Sequence, residues 1–147
     1  MNELSHPDRI RIRSAIGWLE LGIPAEAIRE LSRLRMEIFD DPDVLMVRWH
    51  AHLMAKKWSA LKHISARLTV LEPLEPKSWL LHANSYYFSG NYHISYEIAR
   101  LAVQQFPNTW QLHYEMACCA ARLGRLREVD ECLHRVFALG GEECLKI

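Results

Sequence analysis

Residues 76–109 read PKSWLLHANSYYFSGNYHISYEIARLAVQQFPNT, and this stretch decides the fold. Trp79, Ala83 and Tyr86 are spaced four and three apart, which puts them on one face of a helix. Ser89-Gly90-Asn91 interrupts that helix, because Gly90 can adopt the left-handed backbone that ends one, and Asn tolerates it too. A second apolar stripe follows at Ile94, Ile98, Leu101 and Ala102, and Pro107 stops it. The spacing therefore predicts a helix–turn–helix unit of about 34 residues.

Sliding the chain against itself by that period tests the reading. Gly90 falls on Lys56 and Gly22 in one direction and on Gly124 in the other. Pro107 falls on Pro73, Phe39 and Gly141; Ala83 on Trp49, Ala15 and Ala117; Tyr92 on Trp58, Pro24 and Leu126; Ala102 on Leu68, Leu34 and Val136. No gap is needed. The pattern resembles the tetratricopeptide repeat (TPR), with its W-x₂-L-G-x₂-Y, A-x₃-F and P positions. The resemblance covers nearly the whole chain, from about Pro7 to Gly141, as four repeats at approximately 8–41, 42–75, 76–109 and 110–143. It implies an all-α, right-handed α-α superhelix, a solenoid of about eight helices in one domain spanning 1–147.

Each repeat has its own local logic. In the first, Ile12, Ala15, Trp18 and Leu19 stripe a helix from about Asp8 to Leu21, and Pro24 suits the start of the next. Ala27, Leu31, Leu34 and Ile38 continue at helical spacing, and Asp40-Asp41-Pro42-Asp43 ends that helix and favours the next N-terminus. The second repeat departs most from the pattern. Lys56 replaces the turn glycine, and Trp49 stands where a small residue lets two helices approach, so that Ala51 or a local shift must relieve the crowding. Trp18, Trp58, Trp79, Tyr86 and Tyr92 fall mostly at repeat packing positions, with Trp79 expected to be largely buried. The fourth repeat carries Met116, Ala117 and Ala120, then Val129, Leu133 and Val136, and the tail EECLKI is too short for a full capping helix.

Composition narrows the function. Half of the residues are hydrophobic and the formal net charge is zero, which argues for a folded chain without a basic nucleic-acid footprint. No apolar run approaches about 18 residues, so no membrane span is expected. The N-terminus lacks the apolar core of a signal peptide, which points to the cytoplasm and to reduced cysteines.

No catalytic pattern stands out, and the expectation is a chain that is not an enzyme and needs no cofactor or metal. His50 and His52 are two apart and point to different helix faces. Glu131 and His134 form a single E-x-x-H, whereas a carboxylate-bridged metal bundle needs that motif twice plus two more Glu. Cys118-Cys119 lacks C-x-x-C spacing and reads as small apolar packing.

In TPR arrays the inner helices line a concave surface that holds partner segments. Matching positions across the repeats assigns to it Ile12, Ile16 and Leu19; Met46, His50 and Leu53; Leu80, Asn84 and Tyr87; and Tyr114, Cys118 and Ala121. The surface is apolar with a few polar groups, which favours a protein or peptide partner. The clamp by which co-chaperone TPR domains hold acidic tails maps to Ile12, Ile16, Val47, Lys77 and Leu81, of which only Lys77 fits, so that function is excluded. In character the groove is more similar to that of type III secretion chaperones. The implied function is a scaffold, adaptor or chaperone-like module binding an apolar or amphipathic segment. The rival is a self-associating structural protein, a homo-oligomer using the groove or an open C-terminal face around Val136 and Leu145.

Overall fold

A computed structural model describes residues 3–146, apart from the side chain of Leu145. Among the described residues the chain forms eight α-helices and no strand. It divides into two compact units, Met1–Glu72 and Pro73–Ile147.

The first unit holds α1 (His6–Glu20), α2 (Pro24–Ser32), a short 3₁₀ turn (Met36–Ile38), α3 (Pro42–Met54) and α4 (Trp58–Leu71). Its core gathers Ala15, Ala27, Leu31, Leu34, Ile38, Val44 and Ala51. α1 starts at His6, two residues ahead of the expected Asp8, and Ser5 caps it, its hydroxyl accepting from the Asp8 amide. Arg35 Nε donates to Asp8 Oδ2 at 2.8 Å, tying the segment after α2 to the start of α1. The Ser5 hydroxyl, ahead of the Arg35 guanidinium, holds buried Asp8 below the usual carboxylate range against the opposing effect of burial. Here the expectation of one long second helix is corrected. α2 stops at Ser32, and Arg35 is extended (ψ 147°) so that it reaches Asp8. Leu34, just past the end of α2, and Ile38, in the 3₁₀ turn, are buried all the same. Asp41 caps α3 by accepting from the amides of Asp43 and Val44.

The second unit holds α5 (Pro76–Phe88), α6 (Tyr92–Gln105), α7 (Trp110–Arg122), α8 (Leu126–Gly140) and a terminal 3₁₀ segment (Gly141–Lys146). On α6 the buried residues are Ser95, Tyr96, Ala99 and Ala102, while Ile94 and Leu101 are exposed. The predicted stripe is thus rotated, because the row that meets α5 and α7 carries a hydroxyl whose bonds are satisfied inside. The terminal segment lies against the end of α8. A Cβ on Gly140 would sit 3.1 Å from both the Cys144 Cβ and the Trp110 ring. Val136, expected near an open C-terminal face, is instead buried, and the Leu145 side chain lies outside the described residues.

The repeats are recognisable from their turns. Gly22, Lys56, Gly90 and Gly124 all have positive φ, at 74°, 55°, 87° and 74°. At each, the next amide reaches back to close the same wide turn. Ile23 N donates to Trp18 O, Lys57 N to His52 O, Asn91 N to Tyr86 O and Arg125 N to Ala120 O, each at 2.9 Å. This is the paired-bond cap of a helix C-terminus. Lys56 therefore keeps the register without glycine, and α3 does not shift. Trp49 is only 2% exposed in the place of Ala15 and Ala83, and Ala51 beside it is fully buried.

The expectation that Trp79 is largely buried needs correction. Trp18, Trp58, Trp79, Tyr86 and Tyr92 are half-buried rather than enclosed, and Trp18 packs against the core of the first unit. Trp79 Nε1 donates to Pro73 O at 2.9 Å, and His113 Nε2, one period later, donates to Pro107 O at 2.9 Å. Each ring thus fastens the loop that leads into its own inner helix.

Two stability predictions follow from these turns and rings. Lys56→Gly relieves a left-handed side-chain clash but frees the unfolded chain, for a net gain of about 0.5–1 kcal/mol. Gly90→Val loses about 1 kcal/mol or more through backbone strain alone, since nothing crowds a Cβ there. Urea denaturation of both variants checks the pair, and equal midpoints would refute it. Trp79→Ala should cost about 1–2 kcal/mol, one loop hydrogen bond and partial burial, rather than the roughly 3–5 of an enclosed indole. Thermal melts decide between these magnitudes.

Candidate binding groove

The inner helices α5 and α7 face a common cavity of about 450 Å³ in the second unit. Five expected groove residues line it: Leu80, Asn84 and Tyr87 from α5, and Tyr114 and Cys118 from α7. Phe88, Trp110, Gln111 and Glu115 complete the lining, and none of these four was anticipated. A neighbouring hollow of about 410 Å³ shares Leu80 and Gln111 and extends along the N-terminal ends of the two helices past Lys77. Ala121 is exposed near the end of α7.

The expected residues of the first unit lie on α1 and α3. Ile12 and Leu19 pack against the core of that unit, so their apolar area is largely committed there. Ile16 is 41% exposed, Met46 and Leu53 are half-buried, and His50 sets its ring edge-on to Trp49 at 5.2 Å. Tyr87 is also partly a core residue. Its ring meets Tyr92 at 5.2 Å, it packs on the cluster of Tyr96, Cys119 and Ala120, and its hydroxyl accepts from Arg122 Nε at 3.4 Å. A charge at Tyr87 would therefore disturb the fold. Tyr114, 36% exposed, is the better probe of the cavity.

The floor is a buried polar network that joins three helices. Glu115 on α7 is 7% exposed. Ser95 Oγ on α6 lies 2.8 Å from Ala83 O, 3.0 Å from Glu115 Oε1 and 3.2 Å from Cys119 Sγ. The Asn84 amide, in the orientation that matches donors to acceptors, donates to Glu115 Oε2 at 2.7 Å and Oε1 at 3.2 Å. A hydroxyl has one proton and two lone pairs. If Ser95 donates to the Ala83 carbonyl, it accepts from the Cys119 thiol and from a protonated Glu115, and every group is satisfied. The network fits the neutral acid. Burial raises Glu115 to about 7, and the Ser95 hydrogen bond opposes this only in part. Burial likewise pushes Cys119 up to about 12 and raises Cys118, so neither thiol is an activated nucleophile.

Periodicity holds the signal that finds Glu115. It falls on Leu81, Val47 and Arg13, and Ser95 falls on Val129, Leu61 and Ala27, so a hydroxyl interrupts an apolar row and a carboxyl takes a position that is apolar in the second and third repeats. Elsewhere, His134 is exposed and its Nδ1 donates to Asp130 O at 2.8 Å. Among the described residues no group of three or more His, Cys, Asp or Glu converges as a metal site would require. No described helix is long and apolar enough to cross a membrane.

Comparison of the fold with solved structures gives matches over most of the chain. "MamA RS-1 ArsTM double mutant" superposes with a TM-score of 0.76 over 96% of this chain and 79% of that one, at 16% identity. "Crystal structure of MamA protein" gives 0.72 over 91% and 73% at 12% identity, and "MamA MSR-1 C2" gives 0.71 over 88% and 75% at 14%. The fold is that of the tetratricopeptide repeat. At these identities the TPR likeness is one of architecture. No family model and no curated protein matches the sequence.

The Glu115 titration makes a pH prediction. Unfolded, the carboxyl ionises near its ordinary 4.5; folded, near 7. The folded state thus holds the proton more tightly. Its contribution is fully present below about pH 4.5, falls as pH rises toward about 7, and is then constant. At about 1.4 kcal/mol per pH unit the loss is on the order of 3 kcal/mol. Glu115→Gln, which reproduces the neutral hydrogen-bond pattern, should match the parent at pH 4 and exceed it by roughly that amount at pH 8. Urea unfolding at the two pH values tests this, and parallel curves for the two proteins would refute it.

Proposed function

We propose that this chain is a non-enzymatic protein-binding module, a scaffold or chaperone-like adaptor acting in the cytoplasm, that holds an apolar or amphipathic segment along α5 and α7. The supporting observation is the α5–α7 cavity, where four aromatic rings and Leu80 surround a small polar floor. Aromatic side chains offer large area at little conformational cost and are favoured at binding centres. The two adjoining hollows suit a helix face or an extended strand more than a compact metabolite. Catalysis would need a nucleophile or a paired acid and base, whereas the groove offers raised thiols and one carboxyl that faces an amide and a hydroxyl.

Peptides selected on the intact protein from a displayed library of amphipathic helices test the reading. Tyr114→Glu places a carboxylate where the bound segment excludes water, and it should weaken the selected peptides about tenfold or more. The helical circular dichroism and melting temperature should stay near those of the parent. Undiminished binding to a folded variant would move the site elsewhere. If light scattering instead shows a dimer that Tyr114→Glu dissociates, the groove is a contact between copies of this chain.

A further inference from the structure

The polar floor narrows what the groove can hold. A purely apolar group covering Glu115 would strip its remaining water and give nothing in return. An anion would face a carboxyl titrating near neutrality. No Lys, Arg or His is paired with Glu115 among the described residues; burial and the Ser95 hydroxyl set its behaviour. Around it stand Trp110 and Tyr114, with ring centroids 6.4 Å apart, then Tyr87 and Phe88. Aromatic faces attract a cation, most strongly where water is excluded. A buried carboxylate beneath aromatic walls therefore complements a cation carried on an apolar stem.

We propose that the α5–α7 cavity takes the alkylammonium side chain of a lysine in a partner segment, its methylenes against Leu80 and the aromatic rings and its charge on Glu115. This rests on the groove being the binding surface, and it adds the chemistry of the residue that anchors there. The ammonium keeps its protons. Glu115 gives its own proton to solvent as the cation arrives, and Ser95 can turn its hydroxyl from Ala83 O to Glu115 Oε1, since both lie within hydrogen-bond distance. Asn84 donates to the carboxyl in either state. No neighbour confuses the titration. Cys118, Cys119 and Tyr114 on α7 are all pushed upward, and Ser95 on α6 and Asn84 on α5 do not ionise. Arg122 bonds to the Tyr87 hydroxyl and stays charged throughout. His82 on α5 meets the Tyr86 ring, and His113 on α7 bonds to Pro107 O; neither lines the cavity.

The test is an NMR titration of the intact protein with pentylammonium chloride and with 1-pentanol at matched ionic strength. Pentylammonium should shift the amides of α5 and α7 saturably and bind about tenfold more tightly than the alcohol. Its affinity should rise from about pH 5.5 to about pH 8 as Glu115 ionises, with proton release on binding. Glu115→Gln should remove both the preference and the pH dependence, and the parent's own pH profile decides the matter if that variant folds poorly. Equal affinity for the two probes, no saturable shift with either, or affinity that falls as pH rises would each overturn the lysine anchor. Equal binding of both probes in this cavity would leave the groove reading intact. The groove reading fails separately, if selected peptides shift residues away from α5 and α7.

Discussion

One backbone constraint, a residue in the left-handed conformation closing each inner helix, organises the repeats. At 22, 56, 90 and 124 the chain turns through positive φ, and the following amide bonds back across the turn. That geometry fixes where the outer helix begins, and so which of its residues meet the inner one. Three glycines meet the demand without strain, and Lys56 meets it at a cost. The second repeat accepts that cost because Trp49 and Ala51 on α3 are fully enclosed, an apolar gain larger than the strain of one left-handed residue. Register is thus held by packing even where the turn residue is wrong.

Where α5, α6 and α7 meet, the apolar rows give way to a hydroxyl, a thiol, an amide and a carboxyl. Such a network is costly unless each donor meets an acceptor, and here that accounting closes with Glu115 protonated. It pins three helices, and at two of its positions other repeats carry apolar residues, Leu81 and Val47 for Glu115 and Leu61 and Ala27 for Ser95. The same carboxyl lies at the floor of an aromatic cavity, so the group that joins the helices is also the one a bound segment would meet. The residue that joins the helices thus also lies at the proposed binding surface, and burial is what moves it toward neutrality.

Much of the candidate site was legible because repeat position predicts facing. Leu80, Asn84, Tyr87, Tyr114 and Cys118 converge as the period implies, since a helix face is fixed by spacing. Ile12 and Leu19 obey the same spacing, yet they pack against the core of the first unit, which a period by itself cannot show. Trp79 failed in a related way. Its size suggested burial, but its nitrogen needed an acceptor, and the Pro73 carbonyl at the rim provided one.

From the sequence alone came the helix class, the four-fold period, the turn positions and the apolar character of the inner faces. All of these depend on local spacing and backbone preference, which a linear chain carries in full. Tertiary structure alone decided that α2 breaks so that Arg35 can reach Asp8, that Ser95 and Tyr96 are buried in preference to Ile94 and Leu101, and that Glu115 is enclosed between Asn84 and Ser95. Those outcomes depend on which polar atoms find partners across separate helices. The partners lie 20 to 31 residues apart in the chain, and only packing brings them within hydrogen-bond distance.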